Sequence, residues 1–161
     1  MTPILLLAIL FTGAMAAYVL EEFVLIKPRS TIAPFAGVRL GGAVNALGGL
    51  LCVAGLTLRY VSRKTLGRFF TLGVIKQEGH TVVEDGPYRY VRHPGYFGFA
   101  MFYLGLPLLV GNWLGLAVLS LPALVALIVL VGVEDKTLAD QLGEPYRAYQ
   151  QRTRRFFPGI W

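Results

Sequence analysis

The feature that most constrains this chain is a long uncharged stretch in its second half. The 38 residues from Tyr96 to Val133 contain no Asp, Glu, Lys, Arg or His. A hydrocarbon core about 30 Å thick is crossed by a helix of about 20 apolar residues, so this stretch is long enough for two spans. Gly111-Asn112 is the natural break between them. The stretch therefore predicts a helical hairpin inside a membrane.

Two more uncharged segments, Pro3 to Leu20 and Gly42 to Leu58, extend this prediction to the first half of the chain. With 55% hydrophobic residues in 161, they predict an all-α integral membrane bundle. The sequence favours a single membrane domain over residues 1–161, with two N-terminal helices in 1–63 and a core in 64–161. We expect about four transmembrane helices, which run from Pro3 to Phe23, Val38 to Arg63, Gly95 to Val110 and Trp113 to Val133.

The first apolar segment has an alternative interpretation as a cleaved signal peptide. Ala14-Met15-Ala16 resembles a small-residue cleavage site. However, no Lys or Arg precedes the segment, whereas signal peptides begin with a positive region. We therefore interpret it as a membrane helix.

The basic residues predict the orientation of the bundle. The net charge is +6, and 12 of the 15 Lys and Arg residues lie in two segments, Arg59 to Gly95 and the C-terminal tail from Glu134. An even number of spans separates these segments, so the positive-inside rule places both on the cytoplasmic side. Lys27, Arg29 and Arg39 lie on the opposite side and depart from the rule. We expect a bacterial or archaeal plasma membrane, with the active site facing the cytoplasm.

The C-terminal tail has the pattern of a helix that leaves the membrane and a second helix after it. Gly143 predicts a stop, and Pro145 suits the first turn of a new helix. Arginines beside aromatic residues at the end of the chain predict an anchor to anionic headgroups rather than a nucleic-acid site. This anchor comprises Arg152, Arg154, Arg155, Phe156, Phe157 and Trp161.

The polar loop before the third helix carries the residues best suited to chemistry. Both histidines of the chain, His80 and His93, lie there. Pro94 disfavours a helical conformation at His93, so the next helix should begin near Gly95, and its free N–H groups can bind an anion. Glu134 returns to the same membrane face, which suits an amino-acid ligand with its carboxylate at the helix start and its amine at Glu134.

Other interpretations of these residues remain open. Arg92 and His93 can extend toward headgroups, and Glu134 can end the span with Lys136 nearby. The sequence contains no dinucleotide, Walker A or zinc-ligand pattern, and we expect no metal. Cys52, the single cysteine, excludes a disulfide framework.

The loop and the tail together resemble a known family. The segment Gly86-Pro87-Tyr88-Arg89-Tyr90-Val91-Arg92-His93-Pro94-Gly95-Tyr96 resembles the signature of the isoprenylcysteine carboxyl methyltransferase family and its phospholipid methyltransferase relatives. The second part of that pattern appears as Glu134-Asp135, Gly143-Glu144-Pro145-Tyr146, Tyr149 and Arg154-Arg155-Phe156-Phe157-Pro158. The resemblance covers about Leu66 to Pro158 and makes residues 64–161 the expected cofactor-binding core.

The resemblance implies methyl transfer from S-adenosyl-L-methionine, bound in a cytosolic pocket formed by the loop and the tail. The catalytic residues it implies are Arg92, His93 and Glu134. The implied cofactor contacts are Lys76, His80, Thr81, Val82, Val83, Tyr88, His93, Pro94, Gly95, Tyr96 and Glu134. The implied acceptor is lipophilic or embedded in the membrane, such as a prenylcysteine-like carboxylate, a lipid or a thiol. The other expected partners are membrane lipids, with no nucleic acid and no protein partner.

One departure from the family pattern leaves the acceptor open. The family places an arginine for the substrate carboxylate one helical turn before Glu134, where this chain has Leu130. Two other function classes are alternatives: a sterol-type membrane reductase that uses NADPH, and a non-enzymatic helical scaffold or transporter subunit. The tail lacks the tryptophan often seen in the reductases. The uncharged segments of the predicted spans offer no ionisable residue for an ion pathway through a transporter subunit.

Overall fold

A computed structural model describes residues 41–69, 81–111 and 116–156 of the chain. This part is helical, with no β-strand among the described residues. Its α-helices are α1 (Gly42–Leu66), α2 (Pro94–Val110), α3 (Leu121–Leu142) and α4 (Glu144–Arg152). Short 3₁₀ turns cover Gly67–Phe69 and Gly86–Arg89, and a π-helical turn, Leu116–Ser120, precedes α3. The predicted first helix and its linker lie outside the described residues.

The ends of the described helices follow the sequence signals closely. His93 is the N-cap of α2 and Pro94 its first residue, as the residue pair predicts. Gly111 ends α2 in the left-handed conformation, with φ of 71°, which costs glycine little because it has no Cβ atom. Gly143 separates α3 from α4, and Pro145 lies in the first turn of α4. The predicted helix ends at Pro94, Gly111 and Gly143 are therefore confirmed, while α3 continues to Leu142, beyond the predicted end of the span at Val133.

Glycines allow α1 and α2 to pack backbone against backbone. Added Cβ atoms at Gly48 and Gly55 would collide with backbone atoms of α2, around Gly105 and Gly98 respectively. The same is true in the other direction for Gly98 and Gly105. In lipid, where apolar burial gives little driving force, such close approach gains dispersion contacts. Gly48 and Gly55 thus allow close helix contact, whereas Gly41 and Gly42 have open space around them.

Side-chain hydrogen bonds to main-chain carbonyls add to this packing. Asn45 donates to the carbonyl of Leu109 at 2.8 Å, near the end of α2. Ser120, which is 1% exposed, donates to the carbonyl of Tyr103 at 2.7 Å and fixes the start of α3 against α2. These bonds hold α1 and α3 against the second half of α2, away from the loop.

Within the described residues, one helical segment, Gly42–Phe69, is long and apolar enough to cross a membrane, and Pro94–Val110 is a shorter apolar helix. Large apolar side chains on α1 and α3, such as Leu50, Val53, Val125 and Val129, are exposed. Such surfaces are suited to lipid contact. The all-helical prediction is confirmed, while the count of about four spans stays a prediction.

Candidate functional site

Backbone hydrogen bonds connect the loop before α2 to the residues that follow α4. The backbone N–H of Arg92 donates to the carbonyl of Arg154 at 2.8 Å, and that of His93 donates to the carbonyl of Arg155 at 3.2 Å. Val91 and Arg154 form an isolated parallel bridge. The terminal segment, which we define as residues 153–156, therefore lies alongside the loop, as the sequence analysis expected for the tail.

Asp135 is the centre of a hydrogen-bonded cluster beneath this contact. Arg92 donates to both of its carboxylate oxygens, from Nε at 3.1 Å and from Nη2 at 3.0 Å. Nε2 of His93 lies 2.9 Å from Oδ1, the hydroxyl of Tyr146 donates at 2.8 Å, and Nε of Arg155 donates at 2.9 Å. Asp135 itself is 1% exposed, so four partners from the loop, α4 and the terminal segment meet on one buried carboxylate.

These bonds keep Asp135 ionised. Burial alone would raise the pKa of the carboxyl group, because a charge is poorly solvated inside a protein. Hydrogen bonds from His93, Arg92 and Tyr146 outweigh burial and hold the pKa well below its usual range. The Arg92 guanidinium also donates to the carbonyls of Gln150 and Thr153. A buried ion pair of this kind is maintained only when its polar atoms are satisfied.

A second group of residues, Tyr88, Tyr96 and Glu134, lies next to this cluster. The Tyr96 hydroxyl hydrogen-bonds the Glu134 carboxylate. Tyr88 is 7% exposed; burial, and then the nearby Glu134 charge, raise the pKa of its hydroxyl well above the usual value. Its main-chain carbonyl accepts a hydrogen bond from Tyr149 at 2.6 Å. Two neutral aromatic side chains and one carboxylate thus come together where α2 begins.

The structure brings together many of the residues that the sequence analysis selected. Tyr88, His93, Pro94, Gly95, Tyr96 and Glu134 lie around the first turn of α2 and the facing part of α3. Thr81, Val82 and Val83 have no regular secondary structure. Lys76 and His80 lie outside the described residues. No group of three metal-ligating side chains occurs in the part of the chain that the structure describes.

Two expectations about side chains differ from the structure. Arg92 and His93, which the resemblance implied as catalytic residues, direct their side chains to Asp135. Arg155, predicted as a headgroup anchor, also pairs with Asp135, and its side chain is 33% exposed. Arg152 forms an exposed ion pair with Glu84 at 2.8 Å. The arginines of the tail therefore join it to α3 and to the loop.

Sequence reasoning assigned no contacts to Tyr146 and Tyr149, and it placed Asp135 only with Glu134, as acidic residues on the membrane face of Arg92 and His93. All three are almost completely buried, at 1%, 4% and 2% exposure. The sequence did contain a signal: Asp135 follows Glu134, and Tyr146 and Tyr149 lie about one turn apart in a helix. Polar groups of this kind need hydrogen-bond partners when they are buried. Only the structure shows their partners: Tyr146 hydrogen-bonds Asp135, and Tyr149 hydrogen-bonds the loop.

Comparisons with known proteins agree with this architecture. The isoprenylcysteine carboxyl methyltransferase family matches residues 47–140. The protein-S-isoprenylcysteine O-methyltransferase of Schizosaccharomyces pombe is 32% identical over 114 residues, which cover 70% of this chain and 48% of that protein. Methanethiol S-methyltransferase 1 of Bradyrhizobium diazoefficiens is 28% identical over 116 residues, which cover 65% of this chain and 39% of that protein. The matched regions thus span about half the length of the first of these relatives and less than half of the second.

A solved structure gives the same fold. The structure of a eukaryotic intramembrane Ras methyltransferase matches 93% of this chain and 52% of its own, with a TM-score of 0.74 and 24% sequence identity. The family match includes most of α1, all of α2 and nearly all of α3, together with the loop and the Glu134-Asp135 pair. By this match, the chain belongs to the isoprenylcysteine carboxyl methyltransferase family.

Proposed function

We propose that this protein is an integral membrane methyltransferase that transfers a methyl group from S-adenosylmethionine to a lipophilic acceptor on the cytoplasmic face. The observation that carries the proposal is the placement of Glu134, Tyr88 and Tyr96 together at the start of α2. This group combines an acidic side chain with two aromatic rings, which suits a ligand that carries an amine and a sulfonium.

The residues at the site fit this cofactor. When bound, S-adenosylmethionine supplies a methyl group activated by the positive charge on its sulfur. The Glu134 carboxylate is suited to the amine, and the rings of Tyr88 and Tyr96 are suited to a cationic centre because aromatic faces attract cations. Thr81, Val82 and Val83, with His80, are proposed to read the adenine through their backbone groups. Lys76 is proposed as a further contact.

In this proposal, Arg92 and His93 do not contact the ligand directly. Their side chains hydrogen-bond Asp135, so they hold the loop and the start of α2 in place against α3. His93 is the N-cap residue of α2, and fixing its ring fixes the first turn that carries Gly95 and Tyr96. We therefore propose that they position the binding groups, and that Glu134 binds directly.

The acceptor is proposed to enter from the bilayer, where a lipophilic molecule is concentrated. Methyl transfer is an in-line displacement, so alignment and exclusion of water supply much of the rate increase. An acceptor that is already an anion needs no base. A thiol or an amine needs a proton acceptor, and Asp135 is not available for this because it accepts hydrogen bonds from four side chains.

Calorimetric titration of the detergent-purified protein tests this function. We expect S-adenosylhomocysteine to bind and NADPH to give no heat. Glu134→Gln should weaken binding at least tenfold, because a charge-assisted bond to the amine is lost. The control Glu144→Gln, at an exposed position in α4, should bind normally.

An absence of binding by the wild-type protein at millimolar S-adenosylhomocysteine and S-adenosylmethionine would refute the proposal, and NADPH binding would favour the reductase alternative. The acceptor can then be sought with labelled S-adenosylmethionine and a panel that contains a prenylcysteine and methanethiol. Incorporation of label into a lipophilic member of the panel would support the proposed acceptor class.

A further inference from the structure

Arg59 lies where α1 meets the first turn of α2. Its side chain is partly buried, and its guanidinium carbon is 3.5 Å from the centroid of the Phe99 ring. A Cβ atom added to Gly98 would lie 3.0 Å from the backbone nitrogen of Arg59, and one added to Gly95 would lie 3.8 Å from its Nη1 atom. Arg59 therefore lies directly beside the start of α2, with its backbone near Gly98 and its guanidinium near Gly95.

The same arginine is a neighbour of the proposed binding residues. Arg59 interacts electrostatically with Tyr88 and Tyr96, and both tyrosines interact with Glu134. The two aromatic side chains thus have a cation from α1 and a carboxylate from α3 in their surroundings. This arrangement presents charges of opposite sign at one site, as recognition of a zwitterion requires.

The position of Arg59 within α1 favours a ligand-binding role. Arg59 directly follows the uncharged part of α1 and lies on the side of the helix that faces the first turn of α2. A guanidinium that stacks on a ring can still donate hydrogen bonds in its own plane, and its donors match both oxygens of a carboxylate. The start of α2 adds the partial positive charge of a helix N-terminus.

We propose that Arg59 binds the carboxylate of the methionyl part of S-adenosylmethionine while Glu134 binds its amine. The inference rests on the proposed function and extends it to a residue outside the loop and tail motifs. It also adds a side chain to the carboxylate contact predicted at the start of α2, where the side chains of Arg92 and His93 are directed to Asp135.

The test compares two ligands that differ by one group. S-adenosylhomocysteine and its decarboxylated analogue are titrated calorimetrically into the full-length protein in detergent. Arg59→Met should weaken binding of S-adenosylhomocysteine about tenfold to a hundredfold and leave the analogue unaffected. Glu134→Gln should weaken both ligands, because both carry the amine.

Matched variants separate this role from a general loss of charge or of structure. Lys64→Met removes the same charge at an exposed position of α1 and should bind both ligands normally. Arg59→Lys keeps the charge but loses the planar fork, so it should weaken only S-adenosylhomocysteine, and by less than Arg59→Met. It also serves as the test variant if Arg59→Met does not fold.

Three results would overturn the inference. Equal weakening of both ligands by Arg59→Met would show that Arg59 only supports the fold. Unchanged affinity for S-adenosylhomocysteine, together with a raised KM for the acceptor, would assign Arg59 to the acceptor. Failure of the wild-type protein to bind either ligand would instead refute the proposed function as a whole.

Discussion

Asp135→Asn provides the sharpest test of how the site is held together. Asparagine has nearly the same shape, but it removes the charge and replaces one acceptor oxygen with an NH₂ group. Arg92 and Arg155 both donate to Oδ2, and Arg92, His93 and Tyr146 are bonded to Oδ1. In either amide orientation, the NH₂ group therefore faces donors from the partner side chains.

The expected cost follows from the burial of this cluster. Removing one partner of a buried ion pair costs about 3 to 5 kcal/mol, because the other charge remains buried without compensation. We expect a loss of that size in the free energy of unfolding, measured by denaturant titration in micelles and followed by circular dichroism. The control Asp140→Asn, at an exposed position on the same helix, should change it by less than about 0.5 kcal/mol. A loss below about 1 kcal/mol for Asp135→Asn would refute the role given to the cluster.

The pH dependence of the same experiment has a definite sign. The folded protein holds the pKa of Asp135 below its usual range, so the unfolded chain binds the proton more readily. The stabilisation from the carboxylate is therefore complete above the ordinary Asp pKa, about 4, and decreases as the pH falls below that value. The difference in stability between wild type and Asp135→Asn should shrink over this acid range. A difference that stays constant or grows would contradict the assignment.

Three further changes test separate contacts by the same unfolding measurement. Gly98→Ala should cost about 1 to 3 kcal/mol, because its Cβ atom would lie 2.5 Å from a carbonyl oxygen of α1. The control Gly132→Ala, which has nothing within 4 Å of the added Cβ atom, should be neutral or slightly stabilising. Equal effects of the two changes would argue against close helix packing. Glu84→Gln should change stability by less than about 1 kcal/mol, since its pair with Arg152 is exposed, and a larger loss would show that this pair organises the loop. Tyr146→Phe should cost about 1 kcal/mol through its lost bond to Asp135, and an unchanged stability would show that this bond contributes little.

Local signals in the sequence predicted the helix boundaries well. Pro94 restricts the residue before it, and Gly143 followed by Pro145 interrupts α3 and starts α4. Both effects act within a few residues, so they can be read without knowledge of the fold. The uncharged stretch likewise predicted the apolar helices, because the composition of a membrane helix reflects its solvent.

Contacts between distant residues were harder to predict. Glu134 and Asp135 are adjacent acidic residues, yet one meets tyrosines at the proposed binding site and the other meets arginines and His93. Their directions depend on how α3 is rotated against α2, which the sequence pattern does not fix. Arg59 was counted only as a cytoplasmic charge because its neighbours Phe99 and Gly95 come from a different helix.

The bridge between Val91 and Arg154 has a consequence for the order in which the protein is made. The ribosome produces α1 and α2 first, and their glycine contacts can form as soon as both helices are in the bilayer. The loop reaches its final position only after residues 153–156 have been synthesised, because those residues supply its backbone partners. A chain that stops before Thr153 would keep its helical hairpin but leave Arg92 and His93 without these anchors. The backbone hydrogen bonds that hold the loop can therefore form only after the chain has been synthesised as far as Arg155.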